Sequence, residues 1–142
     1  MQKILIKTKI EMADFARKIA RESNVGDVIG LKGTLGVGKS FFAKNFIEEI
    51  SLKKQEVLSP TFNLVYSYDT QKGEVFHFDL YRLKSEDELE NIGFFDALQN
   101  GISLIEWPEI AEKFLKKNYL EIEIGFVKDG DEEARILGFK RI

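Results

Sequence analysis

Residues 33–40, Gly33-Thr34-Leu35-Gly36-Val37-Gly38-Lys39-Ser40, match the pattern G-x-x-x-x-G-K-[ST] at every fixed position. Each residue type has a chemical reason to stand there. Gly33, Gly36 and Gly38, with Val37 between the last two, let the backbone curl into a nest whose N–H groups converge on phosphate oxygens. A helix starting at this point adds its positive N-terminal end. Lys39 reaches β- and γ-phosphates, and the Ser40 hydroxyl is a hard oxygen ligand suited to Mg²⁺. By average residue usage, a chance match somewhere in a chain of this length is about a 1% event. The expectation is an ATP–Mg²⁺ site.

A P-loop site also needs an acid at the end of a neighbouring buried strand, to hold Mg²⁺ or its water. Two residues qualify. Glu106 ends the apolar run 102–105 (ISLI), and Asp79 ends the run 74–78. Either could instead cap a helix or face solvent. Thr61, in Ser59-Pro60-Thr61-Phe62, stands where a switch loop would sense a γ-phosphate, although Ser-Pro is also ordinary turn chemistry. His77 is the single histidine. Strand alternation puts it on the same face as Asp79, as a structural residue or as a base. Trp107, next to Glu106, fits either the core or the rim of the site.

The elements that must position these residues are legible from periodicity. Residues 3–7 read as a strand. Thr8 followed by Glu11 reads as a capping box, opening a helix whose apolar face is Met12, Phe15, Ala16, Ile19 and Ala20. Gly26-Asp27 turns the chain into a buried strand at 28–32, directly before the Gly-rich loop. A second helix follows, with Phe42, Ala43, Phe46, Ile47 and Ile50 on one face. Val57-Leu58 suggests a short strand. Residues 63–68 and 74–78 read as a hairpin about the loop 69–73. A charged helix is expected at 85–91, then Gly93, an apolar segment at 94–98, the strand 102–105 and a helix at 109–115. Residues 119–126 and 133–139 close the chain as a hairpin around Asp129-Gly130. Helices alternating with buried strands predict an α/β three-layer sandwich of the P-loop NTPase kind, with a mixed, largely parallel sheet and added β-hairpins.

Composition sets the outer bounds. The 142 residues fit one domain spanning 1–142, with 44% hydrophobic and 32% charged residues arguing against disorder. A formal net charge of −3 does not suit a chain that grips nucleic acid alone. The lysine pairs Lys53-Lys54 and Lys116-Lys117 read as solvated surface. With no cysteine, disulfides, thiolate nucleophiles and zinc fingers are excluded. The N-terminal residues MQKILIKTKIEM hold no long apolar stretch, and no run approaches the ~20 apolar residues of a membrane span. The expected location is cytoplasmic.

Five segments occur in an order that resembles the TsaE family (also called YjeE), the small ATPases of bacterial tRNA threonylcarbamoyladenosine synthesis. They are GTLGVGKSFF, SPTF, HFDLYRL, ELENIGFFD and LIEWPE. The resemblance implies that Lys39 binds phosphate, that Ser40 and Glu106 hold magnesium and that Thr61 is switch-like. It makes Asp79 an essential aspartate at the metal and Trp107 the tryptophan beside the glutamate, and it sets Arg135 near the nucleotide. Thr34 and Phe41 depart from the family pattern, which usually has Asp and Thr there, and Ser40 stands for a Thr while keeping the hydroxyl. The resemblance also implies partners, TsaB and TsaD, with ATP hydrolysis serving modification of adenosine 37 in tRNAs that read codons beginning with A. Contact with tRNA would be indirect, through that complex.

Three other readings share the P-loop. A small-molecule kinase needs an acceptor pocket and a lid, usually with several arginines. Only Arg17 and Arg21 are close together among Arg17, Arg21, Arg82, Arg135 and Arg141. A GTPase needs an Asn-Lys-x-Asp guanine motif, which the chain lacks, and its one Asp-x-x-Gly, at 27–30, precedes the P-loop. A nucleotide-gated binding module with negligible hydrolysis would differ from an ATPase only in turnover.

Overall fold

The computed structural model describes residues 1–115, 119–128 and 130–142. Lys116-Lys117 and Asp129, the first residue of the expected Asp129-Gly130 turn, lie outside them. The strands are β1 (Gln2–Ile6), β2 (Val28–Lys32), β3 (Val65–Thr70), β4 (Gly73–Asp79), β5 (Ile102–Glu106), β6 (Leu120–Phe126) and β7 (Arg135–Arg141). They form one mixed sheet in the order β1-β7-β6-β2-β5-β4-β3. Its centre, β6-β2-β5-β4, is parallel, and antiparallel pairings flank it on both sides. The α/β sandwich with a mixed sheet and hairpins stands as the sequence predicts.

Two helices cover one face. In α1 (Lys9–Glu22) half of the expected capping box is formed: the Thr8 hydroxyl accepts from the Glu11 N–H at 3.2 Å, while the Glu11 carboxylate accepts at 3.1 Å from the N–H of Lys7, the residue before the cap, and not from that of Thr8. α2 (Lys39–Ile50) follows the Gly-rich loop. Met12, Ala16, Phe42, Phe46 and Ile47 pack with Val75, Ile102 and Leu104 of the sheet in one apolar cluster. The other face carries the short helices α3 (Glu88–Asn91) and α4 (Phe94–Asn100) and a 3₁₀ helix (Pro108–Phe114), packed on Phe78 and Ile105. Phe78 and Ile105 thus point one way and Val75, Ile102 and Leu104 the other. Alternation then puts His77, Asp79 and Glu106 on the α2 face, at the C-terminal ends of parallel strands, where open α/β sheets place ligands.

Several elements differ from their expected extent. Val57-Leu58 is not a strand. Two apolar residues between Glu56 and Ser59-Pro60 are too few for a ladder, and Pro60 has no N–H to donate. Leu58 instead donates its N–H to the Tyr68 hydroxyl at 3.0 Å. β3 begins two residues later than expected, because Leu64 has φ 68° and its N–H bonds to the Pro60 carbonyl. The hairpin is correspondingly tighter, with Thr70 paired to Gly73. The helix expected at 85–91 shrinks to α3, since the Glu88 carboxylate accepts from the Lys84 and Ser85 N–H groups and holds a turn there. The segment at 109–115 is the 3₁₀ helix, with Pro108 at its first position.

A charge cluster ties that 3₁₀ helix to the sheet. The Lys32 ammonium pairs with Glu112 and, at 2.9 Å, with Glu121, which also accepts from the Tyr119 hydroxyl at 3.3 Å. Burial pushes the Tyr119 phenol up to about 12, helped by the charges of Glu112 and Glu121. Burial would raise the Glu121 carboxyl, but the hydrogen bond and charge of Lys32 overcome this and hold it below the ordinary glutamate range. Its contribution to stability is therefore complete above that range and is lost as pH falls through the lowered folded value. Glu121→Gln should cost about 1–3 kcal/mol near neutrality, less than the ~3–5 kcal/mol of a fully buried broken pair. The reason is that Lys32 keeps 24% of its side chain exposed. The same variant should flatten the acid limb of stability. Urea midpoints near neutrality and in acid check both outcomes, and equal midpoints at neutrality would contradict them.

Candidate functional site

The Gly-rich loop bridges the end of β2 and the start of α2. Two glycines in it are required by geometry. A Cβ on Gly33 would lie 2.6 Å from the Ile124 carbonyl oxygen and 2.7 Å from Val37. Gly38, the residue before α2, has φ 124°, a conformation side chains rarely adopt. Lys39 is buried, and its Nζ bonds to the carbonyls of Gly33 (2.5 Å) and Thr34 (3.0 Å). It also lies 4.2 Å from the centre of the Trp107 ring. Burial lowers its pKa, against the attraction of Glu106, Asp79 and Glu109.

The two acids face the loop from adjacent strands, paired across the β4–β5 ladder. Both oxygens of Glu106 lie 3.1 Å from the Ser40 hydroxyl, which donates to the carboxylate. Asp79 accepts from the Tyr81 N–H at 3.0 Å and from the Thr61 hydroxyl at 3.4 Å. Thr61 in turn lies 2.9 Å from the Ser59 hydroxyl. Burial raises the Asp79 carboxyl above its ordinary range, opposed by the Tyr81 N–H and reinforced by the charge of Glu106. Trp107 turns the chain out of β5 with φ 57°, and its N–H returns to the Leu31 carbonyl at 3.2 Å. Tyr81 packs against it at 4.7 Å between ring centres.

Lys39, Ser40, Thr61, Asp79, Glu106 and Trp107 thus border one open cleft of about 250 Å³. Gly36 and Gly38 form its lip and also border a second cavity of about 290 Å³, together with Val37 and Arg135. The Arg135 Nε donates to the Val37 carbonyl at 2.8 Å, and its guanidinium lies 4.6 Å from the Phe126 ring centre. Sequence reasoning missed the other walls of this cavity: Lys9, Met12, Phe41 and Glu133. The capped first turn of α1 and the aromatic residue after Ser40 were the available signals, but nothing local joins them. Among the described residues, no arginine or glutamine lines the cleft.

The donor set fits Mg²⁺. Ser40, Glu106 and Asp79 offer hard oxygens only. That is the expected balance for an ion bound by one or two carboxylates, waters and the phosphates of a substrate. The two cavities share Gly36, Gly38 and Phe41 in their walls, and the one bordered by Arg135 is the more apolar.

The family model described as threonylcarbamoyl adenosine biosynthesis protein TsaE matches residues 6–136. Among curated proteins, the tRNA threonylcarbamoyladenosine biosynthesis protein TsaE of Rickettsia prowazekii is 37% identical over 119 residues, covering 84% of this chain and 83% of its own. The protein of the same name from Bacillus subtilis is 35% identical over 127 residues, covering 89% and 77%. Among solved structures, YdiB of Bacillus subtilis superposes with a TM-score of 0.73 at 27% identity, covering 99% of this chain and 85% of that one.

Proposed function

The chain belongs to the TsaE family of threonylcarbamoyladenosine biosynthesis, and on that premise we propose that it is a Mg²⁺-dependent ATPase serving this tRNA modification as a cytoplasmic partner of TsaB and TsaD. The observation that carries the reading is the convergence of Lys39, Ser40, Thr61, Asp79 and Glu106 on one cleft at the start of α2. The phosphates sit in the nest of residues 33–40, and the base enters the cavity between Phe41, Met12 and Arg135. Ser40, Glu106 and Asp79 would hold Mg²⁺, directly or through water, and the ion would supply charge neutralisation at the phosphates. Lys39 leaves the Gly33 and Thr34 carbonyls to meet phosphate oxygens. Thr61, joined to Asp79, reads the γ-phosphate and passes its presence to the exposed segment at Phe62. Among the described residues no helix is long and apolar enough to cross a membrane.

Among the described residues the cleft supplies acids and a lysine but no arginine finger or water-positioning glutamine. Hydrolysis by the isolated chain should therefore be slow, and addition of TsaB and TsaD should accelerate it, by up to the ~10³–10⁵-fold that such a supplied group contributes. Thr61→Ala should keep ATP binding and lose most of the acceleration. ATP turnover with and without the two partners tests this. Full-speed turnover by the chain alone, indifferent to them, would overturn it.

A further inference from the structure

His77 is deeply buried. Its Nε2 lies 2.6 Å from Oε2 of Glu106, its side chain is 1% exposed, and its Nδ1 is buried without a partner. It does not border the cleft; it stands behind Glu106, which does. A buried histidine with one satisfied nitrogen leaves a polar group uncompensated. With Nδ1 unpartnered among the described residues, Nε2 is the nitrogen placed to donate, and the contact runs from its N–H to the Glu106 carboxylate.

We propose that His77 is a positioning residue that fixes the rotation of the Glu106 carboxylate, keeping it against Ser40 and open to the metal. The inference rests on the reading of Glu106 as a magnesium ligand. The β4–β5 ladder gives the contact its rigidity: Asp79 pairs with Glu106 and His77 with Leu104, so the imidazole is carried one strand over and one layer below the acid it holds. Without that donor the carboxylate keeps only the Ser40 hydroxyl, which must itself turn to the metal. A hydrogen-bonded partner behind a ligating carboxylate typically governs 10–100-fold of metal affinity or activity.

His77 is the only histidine, so its ring nitrogens can be followed by ¹⁵N NMR in the full chain without ambiguity. The spectrum should show a single tautomer protonated on Nε2, and an Nδ1–H tautomer would overturn the proposal without any variant. His77→Leu removes the donor, and His77→Gln keeps an N–H at comparable reach. Mn²⁺ binding in the presence of ADP, followed by electron paramagnetic resonance, should weaken about 10–100-fold in His77→Leu and recover most of its strength in His77→Gln. The kcat for ATP should fall in parallel, while KM and metal-free ADP affinity change little. Unchanged Mn²⁺ affinity in a folded His77→Leu protein overturns the proposal. Equal loss in both variants, tracking a lowered melting temperature, also overturns it by reducing His77 to packing. If Glu106→Gln leaves Mn²⁺ binding unchanged, the parent reading of Glu106 fails, an outcome distinct from the others.

Discussion

Glu106→Gln should lower ATP hydrolysis by on the order of 10²–10³-fold, the loss seen when one preorganised electrostatic group is removed from a water-poor site. The substitution keeps the shape of the side chain and an oxygen that can accept from the Ser40 hydroxyl, so the fold should survive. What disappears is a negative charge that is 3% exposed and lies against Ser40, at the proposed metal position. Asp79→Asn, its neighbour across the ladder, should also fall sharply, since it carries the second carboxylate at that position. Single-turnover hydrolysis in the presence of partners, alongside a melting curve, measures both. Normal turnover in the two variants would show that neither acid acts at the metal.

Lys39→Ala is expected to weaken ATP binding or turnover by about 1.5–3 kcal/mol, roughly 10–150-fold, as charge-assisted contacts do. The ammonium already has two carbonyl partners and the Trp107 face, so phosphate must replace contacts and not merely add them. The same geometry provides an optical readout. Trp107 is the only tryptophan, and drawing Lys39 off its ring should change its fluorescence when nucleotide enters. That component should vanish in Lys39→Ala. Wild-type affinity and an unaltered fluorescence response would remove Lys39 from the phosphate site.

What could be read in advance follows the range of the interactions. The Gly-rich loop is contiguous, and its fixed positions are each justified by their own chemistry. The acids were legible because Asp79 and Glu106 end short apolar strands. Their shared face and their pairing both depend on the β4–β5 register, which no local pattern encodes. The same register hid the partner of His77: alternation gave it the face of Asp79, while its hydrogen bond goes to the next strand. Val57-Leu58 misled because two apolar residues satisfy a strand pattern without enough backbone to pair. Arg135 came only through resemblance, and the cavity it borders stayed invisible, since its walls come from α1, the loop, α2 and the approach to β7.

The wall formed by Lys9 and Glu133 joins residues 124 positions apart, through the Lys9 N–H and the Glu133 carboxylate at 3.0 Å. Beside it β1 pairs with β7, Gln2 opposite Phe139. During synthesis the phosphate nest emerges early, whereas this wall cannot close until nearly the last strand has left the ribosome. A ribosome-bound nascent chain ending before β7 would therefore present a loop able to meet phosphate but no complete chamber for the base.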